Sequence, residues 1–482
     1  MPESSSSRRI SHKWHEISDL PEDLESFRNR ELESLQEVWA ERKQQISVGQ
    51  VEVLNAQLAR EWAIETGIIE DVYTLTRGIT QTLIERGIDS AFIPHDSTNR
   101  DPELLARIIQ GHHDVLEGLF AFVKGERQLT VGYIKELHQG LLRYQDTVAV
   151  FDQLGQAFEK PLEKGRYKLS PNNPQTADGT IHEYCPPEHV ASEMDRLVQL
   201  HREHDQRGVA AYLEAAWLHH AFTQIHPFQD GNGRVARAIA TLVFVKSGFF
   251  PLVVNRDDRT RYIDALESAD RGDLSNLVRL FSQIQARALT KAISSVSEIK
   301  PVSTVEQAVY ATREMLVDLG RISPDKYLAV KGTADILANL TERRVQAISS
   351  ALTVEISRAN PVFTFGAGSL DVPPSDQLRV IGEKFKYDPN ASTYHRSATL
   401  TLTNVAVTSE IVVSLHGIGP AFRGVLIAVA YFRTGDGQPV PLSQDPFRIS
   451  YQESHEASVN RYSEWLEACL IEGLAQWRRT LA

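Results

Sequence analysis

Cysteine is nearly missing from this chain of 482 residues: Cys185 and Cys469 are the two present. Two thiols so far apart make neither a disulfide framework nor a four-thiolate zinc site, and a reduced, cytoplasmic setting is the simplest expectation. Positive charge is also short. Lys plus Arg number 51 against 63 Asp plus Glu, a formal net charge of −12. That balance argues against nucleic acid or an anionic membrane as partner. No apolar run reaches the roughly 20 residues that span a bilayer. The opening Met-Pro-Glu-Ser-Ser-Ser-Ser-Arg-Arg stretch has no apolar centre and does not read as a secretory signal. A His-Glu-x-x-His pair is absent too, which removes a helix-borne zinc protease site. What remains is ordinary globular composition, 42% hydrophobic and 24% charged, enough for two or three domains.

The chemistry gathers in one stretch, His226-Pro-Phe-Gln-Asp-Gly-Asn-Gly-Arg-Val-Ala-Arg237. An apolar helical run precedes it (Tyr212 to Ile225) and another follows (Val235 to Val245). Pro227 ends the first helix near His226, and Gly231 and Gly233 allow a tight loop before the second. Free N–H groups at the start of that second helix make a cradle for phosphate. Arg234 and Arg237, three apart, share a helix face and can both reach an anion there. Asp230 is a hard oxygen ligand suited to Mg²⁺. His226 titrates near neutral pH and can take a proton from a hydroxyl. Together these parts describe nucleotidyl transfer. Two plainer readings compete: a helix-capping loop with chance neighbours, and a metal cluster of His219, His220, His226 and Asp230. Adjacent His219 and His220 point in different directions on a helix, which weakens the second.

The stretch matches the Fic motif, His-Pro-Phe-x-(Asp/Glu)-Gly-Asn-Gly-Arg-x-x-Arg, at every specified position, and the chain resembles that family from about Leu58 to about Phe281. The resemblance implies transfer of AMP from ATP to a Ser, Thr or Tyr hydroxyl of a target protein. It makes His226 the general base and Asp230 the Mg²⁺ ligand. Gly231, Asn232 and Gly233 form the anion hole, Arg234 and Arg237 hold the outer phosphates, and Phe228 is a buried anchor. It also puts Tyr262 near the nucleotide base. Many Fic proteins carry an inhibitory helix with (Ser/Thr)-x-x-x-Glu-(Gly/Asn), whose Glu pairs with the second motif arginine. Glu65 is the candidate here, with Glu61 in the Ser/Thr place and Thr66 in the Gly/Asn place. A carboxylate facing Arg237 would satisfy the charge meant for the γ-phosphate and repel that phosphate.

Around this core the pattern divides the chain into a mobile segment over 1–20, helices with the inhibitory element over 21–100, and a catalytic core over 101–295. A C-terminal α+β domain follows over 325–482. The expected fold class is mainly α, a Fic-type helical core with one β-hairpin plus that α+β domain. Residues 90–160 read as helical, with His138 a packed core histidine. Tyr167/Leu169 and Ile181/Tyr184, separated by Pro, Asn and Gly, read as a β-hairpin over 165–187, resembling the flap that aligns a target by strand addition. Thr341 to Ser350 suggests a helix-turn-helix or winged unit, residues 358–376 a loop, and residues 399–403, 410–415 and 424–432 strands. A dimer seam along Leu24 to Trp39 is a further possibility. Rival activities are removal of AMP, transfer of another nucleotide, and ATP sensing without turnover by an interaction protein.

Overall fold

The computed structural model describes residues 10–44, 48–151, 157–174, 180–294, 323–374, 376–404, 407–419, 422–435 and 437–481. The chain divides into two compact units, one of Met1–Arg28 with Glu52–Gln285, the other of Asn29–Val51 with Ala286–Ala482. The first helix therefore folds with the C-terminal unit, where the sequence pattern alone had grouped it with the helices that follow it. The expected continuation of helix over 295–320 lies outside the described residues, as do residues 1–9 of the segment 1–20. Among the described residues no helix is long and apolar enough to cross a membrane.

In chain order the elements begin with β1 (Ile10–His12), α1 (Arg30–Lys43), α2 (Val48–Ile69) and α3 (Arg77–Arg86). Next come α4 (Pro102–Lys124) and α5 (Val131–Leu141). Asp101 and Thr130 cap these two with side-chain oxygens, each accepting an otherwise unpaired N–H of the first turn. A hairpin of β2 (Thr147–Phe151) and β3 (Ala157–Pro161) follows, in a region whose apolar spacing had read as helix. Then come β4 (Ile181–His182), α6 (Val190–Gln206), α7 (Ala211–Ile225), α8 (Asn232–Lys246), α9 (Arg259–Asp270) and α10 (Ser275–Ser294).

The first unit is built around α8, which packs against α7, α5 and α4. Its side chains are buried on every face, from Val235 and Ile239 to Leu242 and Phe244. A helix wrapped in this way should be apolar throughout. Asn232, Arg234, Arg237 and Thr241 break that rule while also being buried, so each must find partners inside the fold. Thr241 does: its hydroxyl accepts from the Trp62 indole at 3.1 Å and from the Leu252 amide at 3.2 Å.

The expected hairpin over 165–187 takes another form. Tyr167 and Leu169 form no strand, and residues 175–179 are not described. Pro171 and Pro174 remove the donors a ladder would need. The chain still turns back, the His182 amide donating to the Pro174 carbonyl at 3.1 Å. β4 pairs in parallel with β1 instead.

The second unit continues with α11 (Pro324–Leu352), β5 (Thr364–Leu370), α12 (Gln377–Phe385), β6 (Pro389–Thr403), β7 (Thr408–Ile418), β8 (Val425–Thr434), β9 (Val440–Pro441), β10 (Phe447–Ser450) and α13 (His455–Arg479). The antiparallel order is β10-β8-β7-β6-β5, with β9 beside β8. Helices α11 and α13 cover one face, packing Val330, Leu337, Leu466, Leu470 and Trp477 onto Leu400, Val413, Leu426 and Ile449. Thr341 and Tyr462 join the two helices by a hydroxyl pair at 2.6 Å. Thr341 to Ser350 is thus one stretch of a continuous helix and not a helix-turn-helix. The expected loop over 358–376 contains the edge strand β5, whose Gly366 and Gly368 mask the strand pattern.

Glu31 on α1 accepts from Arg448 of β10 at 2.9 Å and from Arg461 of α13 at 2.6 Å, and Arg448 is almost fully buried. Removing the carboxylate leaves a buried guanidinium short of its partner. Glu31→Ala should cost about 3 kcal/mol, seen as an earlier urea transition of the C-terminal unit. An unchanged midpoint would show the pair to be dispensable.

Candidate active site

Helix α7 ends at His226 in the left-handed region, φ 48°, an uncommon conformation for a side-chain-bearing residue. Pro227 then prevents the helix from continuing. The return into α8 is held chiefly by one side chain that bonds both backbone groups of a single residue. Asn232 accepts from the Phe228 amide at 2.9 Å and donates to the Phe228 carbonyl at 2.7 Å. Phe228 is fully buried and stacks on His138 with ring centres 3.9 Å apart. Gly231 caps α8 at φ 79°, where an added Cβ would lie 2.5 Å from Leu142. Left-handed backbone and lack of space both demand glycine there.

His138, expected as a packing residue, has a further job. The Gly165 amide donates to its Nδ1 at 2.8 Å, so its Nε2 carries the proton and donates to the Asp230 carbonyl at 3.0 Å. Burial pushes its pKa down to about 4, with the Asp230 carbonyl bond opposing. His226 is orientated in the complementary way. Its Nδ1 lies 3.2 Å from the Thr223 carbonyl, which can only accept, so the proton sits on Nδ1 and the Nε2 lone pair is free. Burial, with Lys168 nearby, pushes its pKa down to about 3. The near-neutral titration expected from the sequence is thus not kept, because burial disfavours the imidazolium; the imidazole is neutral at physiological pH, the form a base requires. Tyr184 lies flat on its ring at 3.7 Å and 9°. Lys168, buried, donates its amide to the Pro227 carbonyl at 2.9 Å, and its ammonium donates to Asn172 Oδ1 at 2.8 Å. Burial lowers that ammonium to about 8.

Asp230 stays partly exposed. Its Oδ1 accepts from the Gly231 amide at 2.6 Å and its Oδ2 from Gln145 at 2.5 Å. Gln145 in turn accepts from Arg234 at 2.9 Å, so one amide side chain spaces the carboxylate and the arginine. Arg234 is buried, lies 3.6 Å from Asp230, and has an Nε without a partner among the described residues. Burial lowers its pKa, the Asp230 carboxylate opposing. A buried cation so incompletely matched suits an anion.

Arg237 is differently placed. Its Nη1 donates to Glu70 at 2.7 Å, and Nη2 and Nε donate to the Thr66 carbonyl at 2.9 Å and to the Thr66 hydroxyl at 3.0 and 3.2 Å. Burial alone would lower its pKa, but the charge of Glu70 beside it turns the net shift upward. Glu70 sits over the start of α8: a Cβ on Gly233 would meet its carboxyl carbon at 2.8 Å. Glu65, the residue expected against Arg237, faces the other way. It accepts from Arg256 Nη2 at 2.7 Å and from the Arg256 amide at 3.0 Å. Glu65 and Glu70 lie five residues apart, far enough round a helix to face different neighbours. Tyr262 is buried, with its hydroxyl 2.8 Å from His219 Nε2 and beside the Arg237 guanidinium. His220 bonds Asp270 at 2.9 Å, so the two adjacent histidines serve separate partners.

With this geometry in view, the model of the Fic/DOC family matches residues 128–244. This chain carries a Fic/DOC domain. Protein adenylyltransferase fic-1 of Caenorhabditis elegans is 25% identical over 227 residues, 46% of this chain and 39% of that protein. The chain thus spans well under half the length of that relative. A Fido domain-containing protein of Dictyostelium discoideum is 42% identical over 90 residues, 18% of this chain and 62% of that one. A Fic domain containing signaling protein of Bacteroides thetaiotaomicron has a crystal structure at 24% identity and TM-score 0.45, covering 54% of this chain and 95% of that one.

Buried neutral histidines impose a pH dependence on folding. His112, fully buried with Nδ1 on the Ala63 carbonyl at 3.0 Å, is pushed down to about 3 by burial, with Arg234 adding to the effect. Between that value and the unfolded 6.5 the unfolded chain binds the extra proton, so stability falls as pH drops below 6.5. At pH 5 His112 alone should remove on the order of 2 kcal/mol relative to pH 8. Denaturant titrations across that range check this, and His112→Gln should flatten the slope. An equal slope in the variant would remove His112 from the account.

Proposed function

We propose that this chain transfers AMP from ATP to a Ser, Thr or Tyr hydroxyl of a protein, under restraint by Glu70. One observation carries the reading: a neutral His226 with a free Nε2 stands beside a glycine-lined helix start flanked by Arg234 and Arg237. The relatives named protein adenylyltransferase support it.

In this reading His226 Nε2 takes the proton of the acceptor hydroxyl as its oxygen bonds to the α-phosphorus. The bond from that phosphorus to the bridging oxygen breaks, and pyrophosphate departs toward Arg234. The amides of Asn232 and Gly233 donate to the phosphate oxygens, the Gly231 amide being held by Asp230. Asp230 fits as the Mg²⁺ ligand, a hard, partly exposed carboxylate held in place by Gln145 and the Gly231 amide. When bound, Mg²⁺ would neutralise charge on the transferred phosphates. A target segment running beside residues 180–184 would bring its hydroxyl to the edge of His226 left open by Tyr184.

The brake is assigned to Glu70 in place of Glu65. The frame Thr66-Gly-Ile-Ile-Glu70-Asp71 places Thr at the first position and Glu at the fifth. Asp71 takes the left-handed turn, φ 53°, that Gly or Asn would usually fill. Glu70 occupies both the second arginine and the space over Gly233, so a γ-phosphate would meet a carboxylate there.

Self-labelling by α-labelled ATP with Mg²⁺ tests both halves. His226→Ala should lower transfer by roughly 10²- to 10⁴-fold while ATP still binds. Glu70→Gly should raise labelling at least about tenfold, the equivalent of some 1.4 kcal/mol. Glu65→Gly should lower stability through loss of the Arg256 contact and leave labelling restrained. Equal labelling by parent and Glu70→Gly would dismiss the brake. Undiminished transfer in His226→Ala would dismiss the base.

A further inference from the structure

Beside Tyr184, whose ring centre lies 4.8 Å from that of His182, is a second group of chemistry-bearing side chains that the transfer reaction does not use. His12 on β1, His182 on β4 and Asp270 at the end of α9 each offer a ligand atom, all within 4.8 Å of one another. The His182 Nδ1 to Asp270 Oδ2 separation is 3.9 Å. The His12 and His182 rings stack at 4.5 Å and 20°, an arrangement that two imidazolium cations would oppose by charge repulsion. All three residues are partly buried.

We propose that His12, His182 and Asp270 form a binding site for a divalent transition-metal ion of the zinc class, separate from Asp230. Two imidazoles and one carboxylate are the donor set of an open zinc site, whose fourth position water fills. Nitrogen donors of this kind favour zinc over magnesium or calcium. Zinc bonds of about 2.0 Å at tetrahedral angles place ligand atoms about 3.3 Å apart. The cluster therefore needs to contract by up to about 1.5 Å, within reach of side-chain rotations. The carboxylate is already prepared for that. Its Oδ1 accepts from His220 at 2.9 Å and from Gln224 at 3.2 Å, which fixes the group and leaves Oδ2 on the side of His182. Such outer partners are the usual support of a metal-bound carboxylate.

The position gives the ion something to do. β1 is three residues long and pairs with the two-residue β4, with the Glu183 amide donating to the His12 carbonyl at 2.9 Å. Strands so short hold weakly on their own. An ion shared by His12 and His182 would pin β1 to β4, two residues from the Tyr184 ring that stacks on His226.

Co²⁺ added to metal-stripped full-length protein should give the intense visible bands of a tetrahedral site at stoichiometric binding, and Zn²⁺ should displace them. His12→Ala and His182→Ala should each abolish the bands. Asp230→Asn should leave them unchanged. Hydrogen exchange of the amides in 10–14 and 180–184 should slow with Zn²⁺ in the parent and not in His12→Ala. Absence of the bands in the parent, their survival in His12→Ala, or their loss in Asp230→Asn alone would each overturn the assignment.

Discussion

The loop between His226 and Asn232 takes its shape from the way Asn232 folds back on Phe228. That amide satisfies both backbone groups of Phe228 at once. The loop cannot open without leaving the buried Phe228 N–H unpaired, at a cost of about 1–3 kcal/mol, while the Phe228 carbonyl keeps a second donor in Asn172 at 2.8 Å. Because the loop is closed in this way, His226 is held in its left-handed turn and α8 begins at a defined residue. His138 locks the same loop from the other side through the Asp230 carbonyl. The flanking helices supply the dry surroundings in which these few polar bonds are strong.

The core of this site was legible because its parts are contiguous. His226, Asp230, the two glycines and the two arginines fall within one helix-loop-helix, so local rules about proline, glycine and helix starts suffice. What was not legible depends on contacts between distant residues. Gln145, Lys168 and Tyr184 reach the loop from as far as 85 residues away in the case of Gln145, and nothing in their local sequence marks them. Tyr262, expected near the nucleotide base, is buried between His219 and Arg237, a placement that its helix pattern alone does not mark.

The Glu65 reading failed through register. Both glutamates lie near the end of α2, and the choice between them turns on which residue ends the helix. Asp71 adopts the turn conformation in a place where Gly or Asn would have announced it. The rest of the C-terminal unit shows a similar contrast. Long apolar strands such as β7 and β8 were visible, whereas β5, with two glycines at the sheet edge, was not. Edge strands face fewer packing demands, so their sequences carry less pattern.

Thr66 holds Arg237 by its carbonyl and its hydroxyl, independently of the carboxylate beyond it. Further back along α2, Glu65 is clamped to Arg256 and Trp62 to Thr241. The guanidinium is thus anchored to the stem of the helix and not to its tip. Withdrawal of Glu70 would require a change at the last turn only, and the arginine would be left standing in the geometry it already has.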